Sequence, residues 1–269
     1  MFVCVAGKND ISVEILEYLV ERQEDRYEIG VVCNKNETGK DSWQKSLRYH
    51  AKKMGIREYA LQEIYNMHQV LFLSLEFDQI IRPQKFADAR LYNIHFSLLP
   101  HYRGMYTAVL PILYGETRSG VTLHRIDRGI DTGDIIAQEI IQIGEEDTSH
   151  DLYLKCMEKG TKLVIEYMDM LLDGTETAIP QEKSGATYFG RDTIDYSNIS
   201  IDLRKTADQI KHQIRAFCFP EYQYPKVFGK VVITDNKSLM NPGEIVMEEE
   251  EYMLISTIDY DIKLYYPVG

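Results

Sequence analysis

Val70-Leu71-Phe72-Leu73-Ser74-Leu75 is a six-residue run in which Ser74 alone is polar. A strand this uniformly apolar has no water-facing side, which points to a parallel sheet covered on both faces. Working outward, Leu91 to Phe96 is a second such run, and Phe2 to Ala6 (closed by Gly7) and Tyr27 to Cys33 are two more. Helical patterns lie between them. Ile11, Ile15, Leu16, Leu19 and Val20 recur at helical spacing behind a cap at Asn9-Asp10, and a polar helix is predicted from Asp41 to about Met54. The β-α-β-α-β order predicts an α/β fold: a Rossmann-like, mostly parallel sheet with helices on both faces.

Further along, a helix is predicted from about Thr107 to Tyr114, then extended segments at Gly120 to Ile126 and Asp134 to Ile143. Thr148-Ser149-His150-Asp151 reads as a capping box opening a long helix to Leu172, stopped by Asp173-Gly174. The pattern changes near Pro180, which predicts domains 1–180 and 181–269. The second is a small α+β domain: one helix from about Thr206 to Phe217, then strands at Lys230 to Ile233, Glu244 to Met247, Tyr252 to Ile258 and Ile262 to Tyr266. The acidic run Glu248 to Glu251 reads as the solvated turn of a β-hairpin, a functional acidic patch being the alternative.

The 269 residues carry 30 Lys and Arg against 42 Asp and Glu, a net charge of −12. That balance excludes a broad basic surface, so neither nucleic acid nor a membrane is expected as a partner. With 44% hydrophobic residues the chain can bury a core. No apolar run approaches the roughly 20 residues of a membrane span, and the start, Met1-Phe2-Val3-Cys4, lacks the basic region of a signal peptide. Four cysteines without CxxC pairing suit a reducing compartment. A cytoplasmic protein is the expectation.

Three segments concentrate chemistry. In Asn93-Ile94-His95-Phe96-Ser97-Leu98-Leu99-Pro100, strand alternation places Asn93 and His95 on one face, at a strand end where open α/β sheets bind ligands. An amide and an imidazole pointing together can polarise a carbonyl and stabilise an oxyanion. In His124-Arg125-Ile126-Asp127-Arg128-Gly129-Ile130-Asp131-Thr132-Gly133-Asp134, two glycines permit a tight loop and three carboxylates are available to orient His95. Pro100-His101-Tyr102-Arg103-Gly104 is a loop suited to an anionic or hydroxylated substrate. Taken singly, each has a plain structural reading. His95 serves as a hydrogen-bonded strand-end residue, Asn93 satisfies backbone groups, and the carboxylates form a solvated turn. A Ca²⁺ or Mg²⁺ site is disfavoured because the EF-hand pattern is absent, so no metal is expected.

Together, Asn93-Ile94-His95, Ser97-Leu98-Leu99-Pro100, Arg103-Gly104 and Gly129-Ile130-Asp131-Thr132-Gly133-Asp134, with Asp131 placed 36 residues after His95, resemble the formyltransferases that use N10-formyltetrahydrofolate. The resemblance covers about residues 1–175. It implies Asn93, His95 and Asp131 as catalytic residues and N10-formyltetrahydrofolate as co-substrate. It also implies a pterin lying against residues 74–81, with Glu76, Phe77 and Asp78, and against the loop of Arg125, Asp127 and Arg128.

Residues 181–269 carry 10 Lys and Arg against 14 Asp and Glu, a net of −4 that disfavours tRNA. Gly185-Ala186-Thr187-Tyr188-Phe189-Gly190-Arg191-Asp192 and Ile214-Arg215-Ala216-Phe217-Cys218-Phe219-Pro220 resemble instead the bacterial sugar N-formyltransferases. The implied substrate is a dTDP-linked amino-dideoxyhexose, with dTDP-4-amino-4,6-dideoxyglucose first and a 3-amino sugar or methionyl-tRNA as alternatives, in the service of a surface glycan (O-antigen). Ser97, Tyr102, Arg103, Arg191, Arg215 and Tyr222 are the candidate substrate contacts, since guanidinium groups bind phosphate bidentately and aromatic faces stack on a base. The same resemblance implies a homodimer. Two other classes compete. A nucleotide-binding regulatory module would need a broken triad, and a dehydrogenase is disfavoured because Gly7-Lys8-Asn9-Asp10 lacks G-x-G-x-x-G.

Overall fold

The computed structural model describes residues 1–23 and 26–266, in two compact units. The first comprises residues 1–105, 119–141 and 154–189, and the second comprises 106–118, 142–153 and 190–269.

In chain order the elements are β1 (Phe2–Gly7), α1 (Asn9–Glu21), β2 (Glu28–Cys33), α2 (Leu47–Lys53), β3 (Arg57–Glu58), α3 (Leu61–Tyr65), β4 (Val70–Leu75), β5 (Ala89–His95) and β6 (Arg103–Gly104). There follow α4 (Leu110–Leu113), β7 (Arg118–Arg125), β8 (Ile135–Gln142), α5 (Ser149–Asp173), β9 (Tyr188–Phe189), α6 (Ala207–Ala216), β10 (Val231–Ile233), β11 (Ile245–Glu248), β12 (Tyr252–Ile255) and β13 (Ile262–Tyr265).

The first unit is built on a seven-stranded sheet in the order β3-β2-β1-β4-β5-β7-β8. β3 to β5 run parallel, and β7 lies antiparallel against β5. Every residue of β1 and of β4 is buried, as the apolar runs require of central strands. One core layer packs Phe72, Leu61, Ile64, Ile81 and Leu91 together, with Phe77 and Phe86 edge-on to Phe72. Strand order reverses between β1 and β4, so the loop after β4 borders the crevice where open α/β sheets take ligands.

In the second unit, α6 starts at a capping box of Thr206 and Gln209. Its Ile210 and Ile214 pack on Val231, Ile255, Ile262 and Leu264 of an antiparallel sheet ordered β10-β13-β12-β11. Residues 249–251 turn between β11 and β12, as the hairpin reading requires.

Three features depart from expectation. The helix predicted from Asp41 is confined to α2, because an Asp41 carboxylate oxygen accepts from the Ser46 amide and ties residues 41–46 into turns. Ser46 then caps the helix through Tyr49 N–H. The predicted helix at 107–114 shortens to α4, with Pro111 in its first turn, where a missing N–H costs least. The single break at residue 180 is replaced by an interleaved division. Residues 181–189 stay with the first unit because Tyr188 and Phe189 pair in parallel with Arg103 and Gly104.

Candidate active site

β5 sets the first two side chains. Asn93 and His95 lie two residues apart on a buried strand, so both project from one face at its carboxyl end. The antiparallel register places His124 opposite Asn93, and Thr122 opposite His95. His124 was not among the expected residues, yet it fixes the amide. Its Nδ1–H donates to the Arg125 carbonyl (2.8 Å), which leaves Nε2 to accept from Asn93 Nδ2 (3.0 Å). The second Nδ2–H and the amide oxygen of Asn93 are thereby aimed by the ring behind them.

Burial holds the His124 imidazole well below its ordinary pKa, against the opposing pull of the Asp131 carboxylate. The unfolded chain therefore binds a proton here at a higher pH than the folded one. Stability from this site is present above the ordinary imidazole range and is lost as pH falls through it. The urea midpoint is expected to drop between pH 7.5 and 5, and to drop less in His124→Gln. An equal drop in the variant would contradict the assignment.

His95 Nε2–H donates to the Tyr102 carbonyl (2.8 Å), and Nδ1 stands 3.6 Å from an Asp131 carboxylate oxygen. That second distance is too long for a hydrogen bond. The same Asp131 oxygen accepts from Gly104 N–H (2.9 Å), while its other oxygen lies 3.7 Å from His124 Nε2. One carboxylate thus faces both imidazoles. Tyr102 and Asp131 both hold positive φ (56° and 52°), a conformation that costs a non-glycine residue energy and clusters at functional sites.

A second residue absent from the expectations, Gln181, holds these loops together. Its Oε1 accepts from Arg103 Nε (3.2 Å) and Nη2 (2.6 Å), and its Nε2 donates to the Asp131 and Gly133 carbonyls (2.9 and 2.7 Å). Tyr102 N–H donates to Thr187 Oγ1 and its ring stacks on Phe189. The structure therefore gathers Asn93, His95, Asp131, Tyr102 and Arg103 in one place.

The other expected contacts have partners of their own within the chain. Ser97 is fully buried and its hydroxyl donates to the His101 carbonyl (2.7 Å), which shapes the loop. Arg125 pairs with Glu176 (3.0 Å), which also accepts from Tyr92 Oη (2.7 Å), so its guanidinium braces β7. Asp127 accepts from Gly129 N–H and the Thr132 hydroxyl, closing its own turn, and Arg128 is exposed beside it. After β4, buried Asn34 donates to the Glu76 carbonyl and accepts from Asp78 N–H, fixing the loop's backbone. Glu76 has a φ of 58°, Asp78 accepts from Lys35 N–H, and Phe77 is packed in the core layer.

Three candidates belong to the second unit. Arg215 donates to the Asp147 and Gly144 carbonyls (2.8 Å each), an arrangement that clasps a loop. Arg191 is exposed, and its carbonyl accepts from Tyr106 Oη. Tyr222 is 64% exposed with its ring 5.0 Å from that of Phe219.

Among the described residues no cluster of His, Cys, Asp and Glu is arranged to hold a metal ion, and no helix is long and apolar enough to cross a membrane. What the cluster offers is donors: an amide held in place from behind and an imidazole beside a carboxylate, suited to a carbonyl that gains negative charge.

Comparison with known proteins agrees with this chemistry. A family model described as formyl transferase matches residues 2–168. WlaRD, a sugar 3N-formyl transferase solved in the presence of dTDP and 5-N-formyl-THF, is 40% identical with a TM-score of 0.89, covering 98% of this chain and 97% of that one. An N-formyltransferase from Helicobacter canadensis, in complex with folinic acid and dTDP-3-aminofucose, is 40% identical with a TM-score of 0.88 and covers 98% of each chain. The methionyl-tRNA formyltransferase of Alkaliphilus oremlandii is 31% identical over 207 residues, 73% of this chain and 66% of that protein. With well over half of its length matched and the donor cluster in place, the chain belongs to the formyl transferase family.

Proposed function

We propose that the protein transfers the formyl group of N10-formyltetrahydrofolate to the amine of a dTDP-linked 3-amino-3,6-dideoxyhexose. The observation that carries the reaction is the juxtaposition of Asn93, His95 and Asp131 at the carboxyl end of β5. The free Nδ2–H of Asn93 donates to the formyl oxygen as the sugar nitrogen bonds to the formyl carbon and the bond to N10 breaks. His95, in the tautomer with its proton on Nδ1 toward Asp131, exchanges its Tyr102 contact for the reacting groups, takes the proton lost by the amine on Nε2 and passes it to N10 as that bond breaks. Asp131 holds the ring and faces the charge it gains. Hydrogen bonds of this kind are often incomplete before substrate binds.

Support for the 3-amino position comes from relatives 40% identical over 98% of the chain, one a sugar 3N-formyl transferase and one bound to dTDP-3-aminofucose. The resemblance seen in the sequence puts the 4-amino sugar first without a residue that reads the position, and methionyl-tRNA formyltransferases are also relatives. The net charge of −4 over residues 181–269 speaks against tRNA, whose binding depends on Lys and Arg displacing counterions. In this reading residues 181–269 serve substrate binding and dimerisation, with Arg191 and Tyr222 as substrate contacts, and the protein is a cytoplasmic homodimer acting in surface-glycan assembly. Measuring kcat/KM for dTDP-3-amino and dTDP-4-amino sugars and for methionyl-tRNA is expected to rank the 3-amino sugar first by at least about tenfold, or 1.4 kcal/mol of differential transition-state binding. Preference for the 4-amino sugar or for methionyl-tRNA would overturn the assignment.

A further inference from the structure

Every hydrogen-bonding position of the Gln181 side chain is taken by one of two active-site loops. Oε1 accepts from two N–H groups of Arg103 (3.2 and 2.6 Å), and the two N–H groups of Nε2 donate to the Asp131 and Gly133 carbonyls (2.9 and 2.7 Å). The partners fix which way the amide faces, because a guanidinium can only donate and a backbone carbonyl can only accept. Glutamate has no N–H, lysine has no acceptor and asparagine is one methylene shorter, so none of them fills all four positions. The backbone fixes where the amide sits. Just before it, Ile179 exchanges both backbone hydrogen bonds with Ile135 at the start of β8 (2.8 and 2.9 Å). Just after it, Thr187 N–H donates to the Pro100 carbonyl (3.2 Å), and the Thr187 carbonyl accepts from Arg103 N–H (3.0 Å). Gln181 lies between these two anchorages.

What the amide holds is the turn that carries Asp131. With a φ of 52°, Asp131 is in a conformation that persists only when its surroundings impose it. Its carbonyl and that of Gly133 both end on Gln181, while its carboxylate accepts from Gly104 N–H (2.9 Å) and stands 3.6 Å from His95 Nδ1. The amide therefore sets the turn, and the turn sets the carboxylate. A displacement of about 1 Å at such a group can cost about 10² in rate. We propose that Gln181 is a positioning residue for formyl transfer: it acts through Asp131, keeping that carboxylate beside His95, with Arg103 as its anchor. The proposal rests on the reading of Asn93, His95 and Asp131 as the site of formyl transfer.

Kinetics and hydrogen exchange on two variants of the full chain test it. Gln181→Glu keeps an acceptor for Arg103 and loses both N–H groups, whereas Gln181→Met keeps the length and loses every polar atom. With both substrates saturating, each is expected to lower kcat by about 10- to 10²-fold. In an Asp131→Asn background the same changes are expected to cost less than about threefold, because residues that act through one group are not additive. Exchange at Gly104 N–H, the donor to the Asp131 carboxylate, is expected to quicken in both variants while the amides of β1 and β4 keep their wild-type protection. That exchange is read without substrate and does not depend on turnover. An equal fold-loss in the two backgrounds, exchange that quickens alike in β1 and β4, or kcat within about twofold of wild type would overturn the positioning role and leave formyl transfer standing. Quickened exchange confined to Gly104, with no formyl transfer by the wild-type protein, would support the hold on the Asp131 turn and overturn the reaction it is proposed to serve.

Discussion

Asn93→Ala is expected to lower turnover by about 10² to 10³-fold, the usual effect of removing one preorganised oxyanion donor. The donor is more than a polar group at a strand end. Its amide is oriented by His124, whose own proton is committed to the Arg125 carbonyl. Alanine removes the group aimed at the formyl oxygen and strips Nε2 of buried His124 of its partner. The variant should therefore also lose roughly 1–3 kcal/mol of stability, the cost of an orphaned buried acceptor, while remaining folded at room temperature. Steady-state kinetics with circular dichroism separates the two effects. Turnover within a few-fold of wild type in the folded variant would remove Asn93 from the reaction.

The second large effect is expected from a methyl group. A Cβ on Gly133 would lie 1.8 Å from the carbonyl oxygen of Arg125 and 2.8 Å from its carbon, both backbone atoms. Neither can step aside, because Arg125 N–H is itself bonded to the Asp134 carbonyl and Gly133 O is held by Gln181. Gly133→Ala must open the loop that carries Asp131 to its place beside His95 and Gly104 N–H. A loss of about 3 kcal/mol in stability is expected, at the upper end of ordinary substitutions, together with a fall in turnover of about 10²-fold or more as the imidazole loses its carboxylate. Gly129→Ala is the control: its nearest conflict is the Thr132 side chain and not backbone, which yields at the cost of one exposed hydrogen bond to Asp127, so its effect should be smaller on both counts. Equal behaviour of the two variants would contradict the role given to the Asp131 loop.

Much of the scaffold is legible from period alone. Val70 to Leu75 announces a central strand by having no polar face, and Thr148 with Asp151 announces the start of α5; Thr148 Oγ1 accepts from the Asp151 amide as the box requires. The shared face of Asn93 and His95 follows from strand alternation. Pairing does not. β6 and β9 are two residues each, too short to carry a period, and their contact spans 85 positions in sequence. His124 becomes part of the site only through the antiparallel register of β5 with β7, and Gln181 only because the chain returns 50 residues after Asp131. The partners of single side chains are not legible either. A serine or arginine in a ligand-rich motif looks available in sequence, but Ser97 finds a carbonyl four residues on and Arg215 finds two about 70 residues back. Buried donors are satisfied by the nearest backbone acceptor before any ligand arrives.

The most direct test of the central claim is to follow a ¹³C-labelled formyl group from N10-formyltetrahydrofolate by mass spectrometry in the presence of a dTDP-linked 3-amino-3,6-dideoxyhexose. The label should appear on the sugar nitrogen with the wild-type protein, and be nearly absent with Asn93→Ala and with His95→Ala. Label that stays on the folate with wild-type protein, or reaches the sugar equally in all three, would contradict the account.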